Sequence, residues 1–189
     1  IVWESVVAAS TRAADGSVTR VTVPDAAGVG AVAINVTTTD PRTLGYLTAW
    51  NCEGPAPTAS FHNSVRGEIV AHSTIVPVNA SGEFCVLTRV ASNLVVDLTG
   101  RFPTDGGYRP VGPIRWADTR VTGTRLAAGG SLTVDLDTLD GIDPAQVGAV
   151  AISVTATGGA GPGYLVASAP CAGSAPETSN VNYAGFDSI

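Results

Sequence analysis

A nine-residue segment occurs twice in this chain, and that repeat constrains the possible folds more than any other feature. Residues 29–37 are VGAVAINVT and residues 147–155 are VGAVAISVT, so the two segments differ only at Asn35 and Ser153. Further identities keep the same order in both copies; they pair Gly45, Tyr46, Leu47, Cys52, Pro57, Ser60 and Asn63 with Gly163, Tyr164, Leu165, Cys171, Pro176, Ser179 and Asn182. The spacing is far longer than the roughly 20–50 residues of a solenoid repeat, which predicts two copies of one domain.

The two copies differ in length. The first copy comprises residues 1–113, whereas the second comprises residues 114–189 and ends level with Val70 of the first. We therefore expect a complete first domain and a second, partial domain packed against it. The second copy thus corresponds to the front half of the first, residues 1–70, and contains no counterpart of its back half, residues 71–113. Exchange of strands between identical chains would not supply this back half, because every chain has the same deficit. Three arrangements stay open: one larger sandwich that shares the back half, a second front half closed on itself, or a protein that continues beyond Ile189.

Short β-branched and alternating segments between turn residues predict strands along the whole chain. The 22 glycines and 12 prolines favour turns over long helices. The expected strands lie near 17–23, 29–38, 44–50, 58–63, 68–78, 83–89 and 93–99, and in the second copy near 131–136, 147–157, 163–168 and 178–183. This pattern predicts an all-β antiparallel β-sandwich of jelly-roll or Greek-key type, duplicated, with an incomplete second copy. Within it we expect 29–36 to be a central strand covered on both faces and 143–147 to form a short helical turn.

The charge of the chain argues against a nucleic-acid partner. The net charge is −6 and the ten basic residues are all arginines, so the chain lacks the basic surface that displaces counterions from phosphates. The sequence also contains no run of about 18 or more apolar residues, which predicts no membrane-spanning helix.

Three cysteines indicate the redox compartment. Cys52 and Cys85 lie in the first copy, and in an exported chain we expect them to form a disulfide. Cys171 occupies the position of Cys52 in the second copy, so its expected partner belongs to the back half that the second copy lacks. The alternative for Cys171 is a free, buried thiol.

Ordered motifs along nearly the whole chain are similar to those of one known family. They are AVAINVT at 31–37, GYL at 45–47, Cys52, Pro57, IVPV at 75–78, FCV at 84–86, LVVD at 94–97, Gly100, Phe102, YRP at 108–110 and DTR at 118–120. The chain resembles a repeat module of secreted actinobacterial proteins, where it occurs alone, in tandem or beside cell-wall hydrolases. The resemblance implies an extracellular β-rich accessory module without catalytic residues. The copies depart from each other where Ser168 replaces Trp50 and where residues 5–7 are SVV instead of DTR.

An aromatic pair on one predicted strand is the candidate ligand-binding site. Tyr46, Thr48 and Trp50 alternate along the strand, so their side chains share a face. Exposed, this ladder would stack on sugar rings, with Thr48 and Asn51 supplying hydrogen bonds. The alternative is that the same face packs against the second sheet of the sandwich.

The remaining polar side chains point to structure more than to chemistry. His62 and His72 do not have metal-ligand spacing, and no nucleophile motif is present. We therefore predict no catalytic residues, no metal site and no cofactor. Asp97 lies within an apolar run and needs a partner such as Arg89, Arg101 or Arg120. We interpret Asp97, Asp118 and Arg120 as structural ion pairs, the last two at the junction between the copies.

Taken together, these features predict a secreted, cell-surface-associated β-sandwich module that is not an enzyme. Its expected role is binding or adhesion at the cell envelope, with a glycan or a surface protein as the partner. The alternative is a structural spacer or self-assembling fibre subunit, which would make the protein a homo-oligomer. A hydrolase is the third alternative and has the weakest support, since only His62, His72 and scattered carboxylates favour it.

Overall fold

The computed structural model describes residues 4–6, 12–136, 143–169, 171 and 176–185, and for residues 4–6 it describes the backbone only. The chain divides into two compact units, Ile1–Ile114 and Arg115–Ile189, called here the first and the second unit. The packing of the second copy against the first stays a prediction.

The first unit is a sandwich of two four-stranded antiparallel sheets, which confirms the predicted all-β fold class. Its strands are β1 (Glu4–Val6), β2 (Val18–Thr22), β3 (Val29–Thr39), β4 (Gly45–Trp50), β5 (His62–Ser64), β6 (Val70–Pro77), β7 (Glu83–Thr88) and β8 (Asn93–Pro103). One sheet, called sheet A, has the order β1-β8-β3-β6, and the other, sheet B, has the order β2-β7-β4-β5. Strands that neighbour each other in a sheet are therefore mostly far apart in the sequence.

The core of the sandwich lies between the two sheets. Val32, Ile34 and Val36 of β3 are almost fully buried, and they belong to the same apolar cluster as Phe84 and Val86 of β7. Their alternation follows from the two-residue period of a strand, which turns every second side chain toward the core. β3 lies between β8 and β6, so the prediction of a central strand is confirmed.

The outer face of β3 differs from the expectation. The sequence predicted a strand covered on both faces, but the side chains between the core residues, such as Ala33 and Asn35, are only half-buried. Small apolar residues at these outward positions gave the strand its uniformly apolar sequence. The prediction of a second covering layer was therefore wrong.

All seven strands expected in the first copy are present. The strand expected near 58–63 is shorter and later, since β5 comprises only His62–Ser64. β1 was not predicted, because three residues carry no recognisable period. It is a strand because Glu4–Val6 lies along the edge of β8, where Ser5 is opposite Asp97.

The second unit has little regular structure in its described residues. It contains a short helix α1 (Thr119–Thr122), a 3₁₀ turn at Pro144–Gln146, and the strands β9 (Gly163–Leu165) and β10 (Val181–Tyr183). The predicted helical turn near 143–147 is confirmed: the Asp143 side chain accepts a hydrogen bond from the Ala145 backbone N–H at 3.0 Å. β9 and β10 form an antiparallel pair.

Two strands expected in the second copy do not form. Residues 131–136 and 147–157 are not in strands, although their counterparts in the first unit are β2 and β3. The physical reason is the pairing pattern of the first unit. There β2 pairs with β7, and β3 pairs with β6 and β8, so all of their partners come from the back half that the second copy lacks.

The identical segments consequently lie in unlike surroundings. Val32 and Ile34 are 0% and 1% exposed, whereas the aligned Val150 and Ile152 are 47% and 52% exposed. Among the described residues of the second unit, only Ala156 and Gly185 are buried. The expectation that both copies bury their valine-rich segments between layers was wrong for the second copy, and a duplicated sandwich stays a prediction.

Candidate functional site

The predicted aromatic ladder does lie on one face of β4, but that face is not open to solvent. Leu47 and Ala49 point into the core, which leaves Tyr46, Thr48 and Trp50 on the outer face of sheet B. Tyr46 is 38% exposed, whereas Thr48 and Trp50 are 0% and 6% exposed. The predicted exposed ladder is therefore wrong for Thr48 and Trp50.

The segment that follows β4 covers this face. The Thr48 hydroxyl donates a hydrogen bond to the Ala59 carbonyl oxygen at 3.0 Å. Trp50 packs in a small apolar cluster that includes Cys85, Cys52 and Ala56. The outer face of β4 is thus covered by its own following loop and not by a second sheet. Thr48 serves to hold this loop, so we do not place it in the ligand site.

A disulfide fixes the start of the covering loop. Cys52 is bonded to Cys85 of β7, as the sequence predicted. In the same sheet Trp50 lies directly opposite Cys85. Cys52 has a φ of +63°, a left-handed conformation that non-glycine residues adopt infrequently. The chain therefore turns sharply just after Trp50, and the crosslink holds it there.

A groove with a volume of about 290 Å³ opens beside the end of β4. It is called the Trp50 groove here. Its walls are mostly proline rings, glycines and one tryptophan, with two polar side chains; the lining residues are Gly30, Trp50, Asn51, Glu53, Pro55, Pro57, Pro77, Val78, Pro110, Gly112 and Pro113. Every one of them belongs to the first unit.

Trp50, one of the residues that line this groove, carries an unsatisfied buried donor. Its indole Nε1–H is buried and has no hydrogen-bond acceptor among the described residues. A buried N–H without a partner costs about 1–3 kcal/mol. Such groups are rare in folded proteins and call for an explanation. An acceptor atom brought by a ligand would remove this cost.

Two polar side chains give the groove its electrostatic character. Asn51 Nδ2 donates to a Glu53 carboxylate oxygen at 2.9 Å, and Asn51 Oδ1 accepts from the Glu53 backbone N–H at 3.3 Å. The pair orders the carboxylate at the rim. No arginine lies among the described lining residues, so the groove is acidic and repels anions.

The buried His62 and the half-buried His72 form a pair between the two sheets. His62 is 0% exposed, its Nε2 lies 2.9 Å from Thr38 Oγ1, and its Nδ1 lies 3.4 Å from His72 Nδ1. Burial, together with the neighbouring His72, lowers the pKa of His62 to about 4. Burial also lowers the pKa of His72. Both rings are therefore neutral near pH 7, and their contact joins β5 of sheet B to β6 of sheet A.

Metal ligands and membrane-spanning helices were two further features to look for in the described residues. Among them, no group of three or more His, Cys, Asp or Glu side chains could hold a metal ion. Equally, no helix in the described part of the chain combines the length and the apolar character needed to cross a membrane.

The predicted ion pairs have different outcomes. Arg120 Nη2 lies 2.7 Å from an Asp118 carboxylate oxygen, and hydrogen bonds from Arg120 hold the pKa of Asp118 well below its usual range. Asp97, in contrast, forms no ion pair with any described residue. It is half-buried and lies opposite Asn35 on the outer face of β3, where water reaches it. The expectation of a buried, paired Asp97 was wrong, because alternate residues of β8 face outward.

Comparison with models of known protein families gives no match. Comparison with curated proteins gives no match either.

Proposed function

We propose that the protein is a secreted, non-enzymatic module that binds a neutral glycan of the cell envelope in the Trp50 groove. One observation carries this proposal: Trp50 lines the groove, and its buried indole N–H has no acceptor among the described residues. A sugar hydroxyl or ring oxygen that reaches this N–H would accept the missing hydrogen bond.

The chemistry of the walls favours a sugar over other small ligands. Proline rings and an indole present flat apolar surfaces, while Asn51 and Glu53 supply donors and acceptors at one end. A sugar ring has an apolar face and a polar rim, which matches such a site. The carboxylate of Glu53 disfavours an anionic sugar, since like charges repel in a groove with no cation among its described lining residues.

The size of the groove favours a short contact. About 290 Å³ corresponds to about ten water molecules at roughly 30 Å³ each. This space suits one sugar residue, and a longer glycan would extend along the open rim. We therefore expect weak binding per site, strengthened when several modules meet a polymeric wall.

Secretion is part of the proposal, and the disulfide supports it. Cys52–Cys85 closes the covering loop of the groove, and such bonds persist in oxidising compartments outside the cytosol. The resemblance to modules of secreted actinobacterial proteins supports the same location.

Binding to an array of neutral oligosaccharides that includes N-acetylglucosamine trimers tests the proposal. Trp50→Phe keeps an aromatic ring and removes the N–H, and Glu53→Gln removes the charge at the exposed rim. We expect each variant to weaken the strongest array signal about 5-fold or more, which is the loss of one hydrogen bond. Tyr46→Ala is the matched control, because Tyr46 lies on the same strand outside the groove.

Two results would contradict the glycan proposal. One is an array without signal at millimolar sugar. The other is a signal that Tyr46→Ala abolishes while Trp50→Phe and Glu53→Gln leave it unchanged, which would move the site along β4. Thermal unfolding of each variant separates lost binding from lost folding.

A self-assembling spacer is the second candidate, and the exposed apolar residues of the second unit favour it. Val150, Ile152 and Tyr164 are 47%, 52% and 65% exposed. Where exposed apolar side chains adjoin in a patch, they mark interaction surfaces. Sedimentation velocity over a hundredfold concentration range tests it: assembly that Ile152→Thr abolishes supports the spacer, and a monomer throughout contradicts it.

A further inference from the structure

Three parts of the first unit form the walls of the Trp50 groove. The first wall is the end of sheet A, and the second is β4 with the loop that follows it. The third wall consists of Pro110, Gly112 and Pro113, which follow β8 in the chain. Residues 107–113 are called the strap here.

The first two walls are held by bonds of the fold. At the end of sheet A, the Val78 backbone N–H donates a hydrogen bond to the Gly30 carbonyl oxygen at 3.0 Å. The loop after β4 is crosslinked to β7 by the Cys52–Cys85 disulfide. Neither wall can move far unless one of these bonds breaks.

The strap has no such bonds. Residues 107–113 make no hydrogen bond and no ion pair with any described residue. The turn before them is closed by a hydrogen bond from the Gly106 N–H to the Pro103 carbonyl oxygen at 3.1 Å. Backbone that lacks hydrogen bonds and has few contacts opens at a low cost in free energy. The position of the strap therefore depends on the packing of its side chains.

An aromatic contact packs the strap against the sandwich. The ring centroids of Tyr108 and Phe102 are 4.7 Å apart, and the ring planes are inclined by 39°. Phe102 belongs to β8 and lies opposite Ala31 of β3, the residue after Gly30 of the groove. Tyr108 is half-buried, and this burial raises the pKa of its phenol. The ring of Tyr108 is therefore packed, although most of the strap is exposed.

The sequence after Tyr108 is stiff. Pro110 has a fixed φ, and the residue before a proline, here Arg109, is restricted to extended conformations. Tyr108 does not line the groove itself, but Pro110, two residues later, does. Because the short segment between them has little freedom, the place of the Tyr108 ring determines the place of Pro110.

We propose that Tyr108 is the positioning residue of the Trp50 groove: its ring, packed on Phe102, holds the strap in place as the third wall and prepares the site for one neutral sugar residue. The inference rests on the proposed function for its ligand. A wall that is already in place costs less conformational entropy when the sugar binds. A released strap leaves only a fraction of the molecules competent, and the apparent Kd rises in inverse proportion to that fraction.

Two substitutions of Tyr108 and one of its neighbour test the effect on binding. Tyr108→Ala removes the ring, and Tyr108→Phe keeps the ring and removes only the hydroxyl. Arg109→Ala is the matched control, because Arg109 is an exposed strap residue that does not line the groove. On an array of neutral oligosaccharides that includes N-acetylglucosamine trimers, we expect Tyr108→Ala to weaken the strongest signal about 5-fold or more. The other two variants should bind as the unchanged chain does.

The strap is also measured without any ligand. Nitrogen-15 relaxation gives order parameters for the amides of Val111 and Gly112, which should fall below about 0.6 in Tyr108→Ala and stay near about 0.85 in Tyr108→Phe. The Val32 amide in the core is the reference for folding. A general structural role of Tyr108 would instead lower the melting temperature and leave the strap ordered in the folded chain. Tyr108→Leu retains apolar bulk and repeats the test if the alanine variant does not fold.

The outcomes separate this inference from the glycan proposal. Unchanged order parameters at Val111 and Gly112 in Tyr108→Ala overturn the inference, whatever the sugar does. Undiminished sugar binding by a Tyr108→Ala chain with a mobile strap overturns it as well. An array without signal from the unchanged chain contradicts the glycan proposal instead, and the relaxation data still decide whether Tyr108 holds the strap.

Discussion

One pair of substitutions compares the same side chain in the two copies of the repeat. Ile34 and Ile152 occupy the same place in the matched segments. Ile34 is 1% exposed in the core of the sandwich, whereas Ile152 is 52% exposed. Replacement of each by alanine therefore removes the same atoms from two different environments. Any difference in stability measures the environment and not the chemistry of the change.

The expected cost at Ile34 follows from its burial. Alanine lacks three carbons of isoleucine, and at about 0.8 kcal/mol for each buried methylene their loss costs about 2.4 kcal/mol. The cavity left behind adds to this, and measured values for such truncations span about 2–5 kcal/mol. At Ile152 the change takes place at the surface, where we expect less than about 0.5 kcal/mol.

Urea unfolding followed by far-ultraviolet circular dichroism measures both effects. Most strands lie in the first unit, so its unfolding dominates the signal. We expect Ile34→Ala to lower the free energy of unfolding by about 2–5 kcal/mol and Ile152→Ala to leave the midpoint unchanged. Equal losses for the two variants would refute the reasoning, because they would mean that both segments are packed alike.

Three further predictions use the same logic of matched positions. As the pH falls from 6.5 to about 4, the buried His62 should cost the protein up to about 3 kcal/mol of unfolding free energy, because the unfolded ring binds a proton more readily than the buried one. His62→Val should remove this part of the pH dependence. Urea titrations at pH 7 and pH 4 measure it, and an unchanged pH dependence contradicts the prediction. Cys85→Ser should lower the free energy of unfolding by about 3–4 kcal/mol, because it opens the loop that the Cys52–Cys85 disulfide closes. Cys171→Ser should lower it by less than about 0.5 kcal/mol. Calorimetry measures the two melting temperatures, and equal values would argue against the disulfide. Gly45→Ala should destabilise the protein by about 1–3 kcal/mol, because the added Cβ meets the backbone carbonyl oxygen of Arg89. At Gly163 the added Cβ meets the side chain of Tyr183, which can move aside, so Gly163→Ala should cost less. Thermal unfolding of the two variants measures this, and equal losses would contradict the expectation.

The strands of the first unit were predictable because each carries its own period. Core residues such as Val32, Ile34 and Val36 recur at every second position, and that pattern is local. The absence of a strand at 147–157 was not predictable from the same pattern. A strand also needs neighbours, and the residues that pair with β3 lie 32 to 74 positions further along the chain. An alternating apolar segment indicates that one face of a strand prefers to be buried, but it does not show that a neighbouring strand is present.

The candidate site was predictable only in part. Trp50 and Asn51 were found because they end a strand that carries two aromatic residues. Glu53 and the prolines of the groove were missed, because the groove joins the loop after β4 to the end of β6 and to residues 110–113. The only signal in the sequence was the set of prolines near strand ends. The burial of Thr48 and Trp50 was also hidden, since it depends on a loop that folds back over its own strand.

The pairing of distant segments in the first unit has a consequence for how fast the protein folds. β1 pairs with β8 about 90 residues away, and β2 pairs with β7 more than 60 residues away. Domains dominated by such long-range contacts close slowly, in about milliseconds to seconds, because the loop entropy is lost before contacts compensate for it. The sandwich cannot close before the ribosome has released residue 103, the last residue of β8. A nascent chain of this kind therefore stays without its completed sandwich until synthesis has passed that residue.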